Sequence, residues 1–180
     1  MNDVDYYEDV VAIPLNKGAT LFVDKEAFRL IPQFYGNWYL HHQGYAIQTW
    51  DTISSKQTST LAHQLVWKFY EGEIPKGYEI DLINQNKLDC RISNLRLATR
   101  SQNRMNTHPI ENKTSKYKGV SFFKRNGKWR AQIKIDKRLK HLGYFDSEEL
   151  AAQCYNRIAL NLFGEFACIN DMESPFIEGL

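Results

Sequence analysis

Residues 128–136, KWRAQIKID, alternate without a break. Trp129, Ala131, Ile133 and Ile135 take one parity; Arg130, Gln132, Lys134 and Asp136 take the other. A side-chain period of two describes a strand with one apolar and one polar face. Asn126-Gly127 stands just before it as a two-residue turn signal, so 117–125 and 128–136 are expected to form a hairpin. In the first arm Val120 and Phe122 share one face, and Ser121 and Phe123 the other. A third run, 139–144, follows a turn at Asp136-Lys137. Asp146 then begins a helix, with Glu149 at the capping-box spacing. Ala151, Cys154, Tyr155, Ile158, Ala159 and Leu162 make one apolar stripe at helical spacing, and Gly164 follows as the stop. The expected module is a three-stranded antiparallel sheet packed on one helix, with Arg130, Gln132 and Lys134 on the sheet's uncovered face.

Charge says what that face would meet. The chain's net charge is only +2, but residues 113–140 carry 11 basic side chains against one acid, Asp136. Such a concentration repels itself unless a polyanion compensates it, and nucleic acid is the first partner to consider. The alternative is a solvated charged face. Residues 1–60 are net −3, so the basic character belongs to the C-terminal part. Three cysteines with no CxxC pair argue against a disulfide framework and for a reducing compartment. No apolar run approaches a membrane span, and the acidic start MNDVDYYEDV does not resemble a secretory signal.

The first hundred residues are less regular. VVAIPL and ATLFV read as strands around Asn16-Lys17-Gly18. Residues 26–31 read as a short helix closed by Pro32. WYLHH and YAIQTW read as a hairpin around Gln43-Gly44. DTISSKQTST is polar and expected to be a loop. Tyr35, Trp38, Tyr39, Tyr45 and Trp50 are expected to pack in core and sheet. Leu61, Leu65, Val66 and Phe69 suggest one buried helix face. After breaks at Gly72 and Pro75, residues 78–81 form a short strand, 84–87 a turn, and Thr99 or Ser101 caps a short helix through Asn103 and Asn106. Asp81 lies 13 residues before Asn94 and 22 before Asn103. A carboxylate on a strand and a carboxamide on a helix can converge as oxygen ligands for Mg²⁺ or Mn²⁺. Asp and Asn also cap turns and helices, so spacing alone leaves both readings open.

The runs SKYKGVSFFKRNGKWRAQIK, KHLGYFDSEELAAQCYNRIALNLFG and FACIN resemble the plant APETALA/ethylene-response-factor type DNA-binding domain over 115–170. The resemblance implies double-stranded DNA read by the sheet in the major groove. By position it points to Lys118, Ser121, Phe123, Lys128, Arg130, Gln132, Lys134 and His141. Ser121, Phe123 and His141 stand where that family usually has arginine, so the plant base preference does not carry over. An RNA-reading sheet is the weaker alternative, because Phe123 is the one clear stacking aromatic on the polar face.

The run 77–106, GYEIDLINQNKLDCRISNLRLATRSQNRMN, resembles the HNH family of ββα-metal nucleases, and in particular phage HNH homing endonucleases. With IPLNKGATLFVD, GYAIQT and HQLV the resemblance extends over roughly 10–107. It implies an α+β chain: a ββα-metal domain over 1–107 with its core at 61–107, a linker at 108–114, the DNA-binding module at 115–170 and a tail at 171–180. By position Asp81 and Asn103 would ligate Mg²⁺ or Mn²⁺, Asn94 would brace the loop, and Arg91, Arg96, Arg100 and Arg104 would touch phosphates or serve structure. The expected function is homing cleavage of double-stranded DNA, as a monomeric nickase in a bacterial host's cytoplasm.

One departure outweighs the rest. Leu82 stands where the family has its general-base histidine, and leucine cannot take a proton from water. The change is introduced, or it is natural decay, or another histidine serves, His63 being the nearest by topology; the first two are favoured. His41 and His42 read as surface or structural, and His108 in the linker has no assigned role. The competing function is a non-catalytic DNA-binding protein on a nuclease scaffold.

Overall fold

A computed structural model describes residues 5–6, 8–51, 57–107, 114–136 and 138–172. The expected linker (apart from Thr114), His108, Lys137, most of the tail and the segment 52–56 fall outside those residues. The chain divides into two compact units, Met1–Asn103 and Arg104–Leu180.

The first unit opens with a three-stranded antiparallel sheet, β1 (Asp5–Tyr6), β2 (Val10–Pro14) and β3 (Thr20–Asp24), in sequence order. Val11, Ile13, Leu21 and Val23 alternate into the core. Helix α1 (Lys25–Leu30) follows, and a 3-10 turn at Pro32–Tyr35 starts on the proline. A second antiparallel sheet holds β4 (Tyr39–Leu40), β5 (Ala46–Asp51) and β6 (Gln57–Leu61). The polar stretch expected to be loop therefore contains a strand, β6, paired from Ile47↔Leu61 to Asp51↔Gln57. Its threonines suit a pleated, half-wet surface, which composition alone reads as loop. Of the aromatics expected to pack, Trp38 is buried but Tyr35 is 67% exposed, with one face against Phe28.

Helix α2 (Ala62–Glu71) buries Ala62, His63, Val66 and Trp67. The expected face of Leu61, Leu65, Val66 and Phe69 is thus rotated: Leu61 ends β6 and Phe69 is exposed. The larger indole takes the interior, and both readings share Val66. Strands β7 (Tyr78–Leu82) and β8 (Leu95–Thr99) form a two-stranded antiparallel hairpin, and α3 (Arg100–Met105) follows at once.

The second unit is a three-stranded antiparallel sheet of β9 (Val120–Phe123), β10 (Lys128–Ile135) and β11 (Arg138–Phe145), with β10 central, packed on α4 (Glu148–Phe163). Ala131 and Ile133 point to the helix. The cap of α4 is Ser147, whose hydroxyl accepts from the Leu150 N–H at 3.1 Å, and not Asp146. Asp146 instead pairs with Lys128 Nζ at 2.8 Å. Leu162, expected in the stripe, is exposed, while Asn156 is fully buried. Asn156 and Asn170 clasp each other: Asn156 Nδ2 donates to the Asn170 carbonyl at 2.8 Å, and Asn170 N–H donates to Asn156 Oδ1 at 2.7 Å. Asn170 Nδ2 also donates to the Lys118 carbonyl, so one pair of amides ties helix, C-terminal segment and the start of the sheet.

Beside that clasp Gly119 has φ +75, and a Cβ there would lie 2.1 Å from the Tyr155 ring. Gly119→Ala is expected to lower the second unit's urea stability by more than about 2 kcal/mol, from strain and clash together. Gly127→Ala, also at positive φ but with nothing within 4 Å of the added carbon, should cost about 1 kcal/mol. Equal losses would contradict the close approach of Tyr155.

Candidate functional site

Register decides what the hairpin presents. Asp81 pairs with Arg96, and Leu82 with Leu95. Ile80 and Leu82 join the apolar core, so Glu79 and Asp81 take the other side of β7. Asp81 is 3% exposed. Its Oδ2 accepts from Arg96 Nε at 2.8 Å and pairs with the terminal guanidinium nitrogen at 2.7 Å. The buried charge is therefore compensated within the hairpin. Tyr45 lies close enough that its hydroxyl is pushed up, by burial first and then by the negative charges of Glu79 and Asp81.

Helix α3 returns to the same side. Thr99 and Gln102 cap it reciprocally: Gln102 N–H donates to Thr99 Oγ1 at 3.3 Å, and Thr99 N–H donates to Gln102 Oε1 at 2.8 Å. One residue on, Asn103 Nδ2 donates to Glu79 Oε2 at 3.0 Å. Glu79 and Asp81 are two strand positions apart, about 7 Å. Asn103 and Asp81 thus share one side of the hairpin, with Glu79 as the common neighbour.

The connecting loop is held by amides. Asn94 Oδ1 accepts from Asn84 N–H at 2.9 Å, and Asn94 Nδ2 donates to Asn84 Oδ1 and to the Asp89 carbonyl at 2.9 and 2.7 Å. Asn84 Nδ2 donates to Asp89 Oδ2, and Arg91 forks both Asp89 oxygens at 2.7 Å. Burial pushes the Asp89 carboxyl up, but the Arg91 and Asn84 hydrogen bonds outweigh it and leave the group below the usual range. Backbone bonds from Phe22 N–H to Leu88 O and from Cys90 N–H to Phe22 O, each 2.8 Å, then dock β3 on the loop.

The side chains named from sequence separate accordingly. Arg91 and Arg96 give their guanidinium groups to Asp89 and Asp81, while Arg100 and Arg104 stand exposed on α3. Leu82 is 6% exposed in the core, on the opposite side of β7 from Asp81. His63 is 5% exposed and packs at 5.2 Å from the Tyr45 ring, with Nδ1 buried and unpartnered. Burial pushes its imidazole down to about 4. Burial likewise raises the Cys90 thiol, which makes a poor nucleophile. His41 and His42 pack against each other near the β4–β5 turn, tilted, with ring centroids 3.9 Å apart. Among the described residues no group of three or more His, Cys, Asp or Glu is arranged to hold a metal. On that side of the hairpin Glu79 and Asp81 supply carboxylates and Asn103 a carboxamide. All are hard oxygen donors, a chemistry that fits Mg²⁺ or Mn²⁺. Sequence reasoning missed Glu79, although it shares Asp81's strand parity, and Tyr45, which only the tertiary fold brings near.

In the second unit Ser121, Phe123, Lys128, Arg130, Gln132 and Lys134 lie on the face turned from α4, in register Lys128↔Phe123 and Arg130↔Ser121. Arg130 covers the Phe123 ring at 5.3 Å and donates to Ser121 Oγ at 3.3 Å. Lys118 differs: it is half-buried, its Nζ donates to the Met105 carbonyl at 2.6 Å, and burial pushes its amine down. A bulge at Ala131/Gln132 shifts β11 by one residue, so Gln132 faces His141 and Arg130 faces Tyr144. The outer face therefore holds three aromatic rings: Phe123, Tyr144 and His141.

A strand hairpin and a reciprocally capped helix that bring oxygen-bearing side chains to one side form the geometric core of the first unit. Residues 60–105, which span it, match the family model for HNH endonuclease. An uncharacterised HNH endonuclease of Acanthamoeba polyphaga mimivirus is 35% identical over 157 residues, 87% of this chain and 78% of that protein. The chain belongs to the HNH endonuclease family. Protein 3.8 of Escherichia phage T7 is 36% identical over 105 residues, 58% of this chain and 86% of that protein. An AP2-like ethylene-responsive transcription factor of Arabidopsis thaliana is 37% identical over 68 residues, 38% of this chain and 14% of that protein.

The neutral, buried His63 makes a pH prediction. Its folded pKa, about 4, lies below the ordinary 6.5. Above pH 6.5 it is neutral folded or unfolded and costs nothing. As pH falls from 6.5 toward 4 the unfolded chain binds the proton first, and stability should drop by about 3 kcal/mol. Urea titrations of wild type and His63→Leu should diverge in that window. Parallel curves would mean that His63 charges without unfolding.

Proposed function

We propose that this chain is a metal-dependent endonuclease that hydrolyses a phosphodiester bond of duplex DNA, as a monomer with one site per chain, and that Leu82 leaves it slow. The observation that carries the reading is Asn103 bonded to Glu79 on Asp81's side of the hairpin. Asp81 and Asn103 would hold Mg²⁺ or Mn²⁺, with Glu79 adjacent. Bound there, the cation would polarise the scissile phosphate and stabilise the leaving oxygen. Arg96 orients the Asp81 carboxylate, as outer partners do for metal ligands. Arg100 and Arg104, exposed on α3, grip the phosphate backbone. One such site per chain cuts one strand at a time. The basic sheet of the second unit supplies the hold on duplex DNA, a role supported by its charge and by the AP2-like relative. The homing role and a site of action in a bacterial host's cytoplasm belong to the same proposal; they rest on the resemblance of 77–106 and on viral relatives. No helix of the described residues is long and apolar enough to cross a membrane.

A second reading, a DNA-binding protein without catalysis, is favoured by two facts: Asp81 is already neutralised by Arg96, and Leu82 is built into the core. Supercoiled plasmid with Mn²⁺ separates the two. Slow nicking by wild type that Asp81→Ala abolishes supports the endonuclease. Intact plasmid with both proteins, at concentrations that retard it on a gel, supports the binder.

Leu82→His tests the base. General-base assistance is worth on the order of 10²–10⁴-fold, so the variant should nick faster by that range. Equal rates, with the variant shown to be folded by its melting curve, would refute the assignment of position 82.

A further inference from the structure

The outer face of the second unit's sheet is not uniformly polar. Between its cations project large apolar groups: Leu139, 63% exposed, and Tyr144, 43% exposed. They share that face because of the bulge in β11, which brings Leu139 round to Tyr144's side. Tyr144 pairs with Arg130, and after the extra residue, Leu142, the parity changes, so His141 pairs with Gln132 and Leu139 with Lys134. Leu142 itself turns to the α4 side. The rings pack on one another: Phe123 to Tyr144 at 5.3 Å, and His141 to Tyr144 at 4.5 Å, both tilted. Arg130 lies over Phe123 rather than extending outward, with one guanidinium nitrogen on Ser121 and Nε buried without a partner.

We infer that this face reads thymine 5-methyl groups in the major groove, through Leu139 and Tyr144, and so selects A·T-containing duplex DNA. The inference rests on the DNA-binding role proposed above and adds the base class. Lys128 and Lys134 provide the attraction for phosphate, and the chain's basic run supports a duplex occupant. Base edges in the groove differ in what they offer: guanine takes a bidentate arginine, adenine a bidentate Gln or Asn, and thymine alone presents an apolar methyl. Arg130 is folded onto a ring and bonded to Ser121 rather than extended as the fork that guanine takes. Gln132, on the same face, suits adenine. Exposed leucine and tyrosine at the remaining positions meet a methyl without leaving polar groups unpaired. Single-stranded nucleic acid is the less favoured occupant. Stacking needs an open ring face, while Phe123 is covered by Arg130, and Tyr144 and His141 tilt against each other.

The test removes the methyl from the DNA rather than anything from the protein. The full chain, with EDTA to prevent cutting, is titrated at low salt against poly(dA-dT) duplex and poly(dA-dU) duplex, which differ only in that methyl. Each buried methyl is expected to contribute about fourfold in affinity, so the thymine polymer should bind at least that much tighter. Poly(dG-dC) carrying 5-methylcytosine should likewise bind tighter than its unmethylated form. Leu139→Ala, at a site too exposed to unfold the sheet, should shrink both ratios. Equal binding of the thymine and uracil polymers overturns the inference while leaving the DNA-binding role intact. Failure to bind any duplex at low salt overturns that role as well. Tighter binding to single-stranded oligo(dT) than to either duplex overturns the inference in favour of base stacking.

Discussion

The first unit depends on the amide network of Asn84, Asp89 and Asn94. These side chains satisfy one another and the loop's backbone with hydrogen bonds of 2.7–2.9 Å. A buried polar cluster of this kind is specific because each missing partner would leave a desolvated group behind. Asn94 precedes β8 directly, so the network sets where that strand starts. That start fixes Asp81 opposite Arg96 and Leu82 opposite Leu95, since a slip by one residue would exchange the strand's two faces. The same loop receives β3 through Phe22 and lets Asp24 accept the Ile92 N–H at 2.7 Å. Hairpin register, the face that carries Asp81 and the docking of the N-terminal sheet therefore have one origin.

What could be read from the sequence follows from how local its cause is. The hairpin of β9 and β10 is written in alternation and an Asn-Gly turn, both short-range signals, and it formed where expected. The reciprocal cap of α3 is equally local: Thr99 and Gln102 stand three residues apart. Features decided at a distance were misread. Strand β6 is polar because its partner, not its own composition, makes it a strand. The buried face of α2 is set by where Trp67 finds room. The bulge in β11 costs one residue of parity, which no pattern within 139–145 announces, and it alone brings Leu139 and His141 round to Tyr144's side. Asp81, Asn94 and Asn103 could be named as candidates because a family resemblance carried them. Glu79 and Tyr45 could not, since only the fold shows Asn103 bonded to Glu79 and Tyr45 close to Asp81.

Leu82 fits its place without strain. It ends β7, faces Leu95 and packs among Ile80, Leu95 and the rest of the first unit's core. An apolar side chain is what such a position stabilises, by roughly 1.5–3 kcal/mol when fully buried. An imidazole there would have to stay neutral or find a partner, as the low pKa of buried His63 illustrates. Leucine can thus strengthen the hairpin that the proposed base would have served. Scaffold and chemistry pull in opposite directions at this residue.

That opposition changes what the remaining motif residues say. A relic enzyme would keep Asp81, because Arg96 would otherwise be left as an unpaired charge at low exposure. It would keep Asn94, because the loop collapses without it. Neither residue on its own argues for catalysis. Asn103 is different. Its side-chain amide donates to Glu79, an exposed side chain whose hydrogen bond adds little to stability. The fold would lose almost nothing if another helix-forming residue stood there. A carboxamide at that point, on the acidic side of the hairpin, is what the proposed metal ligation asks for.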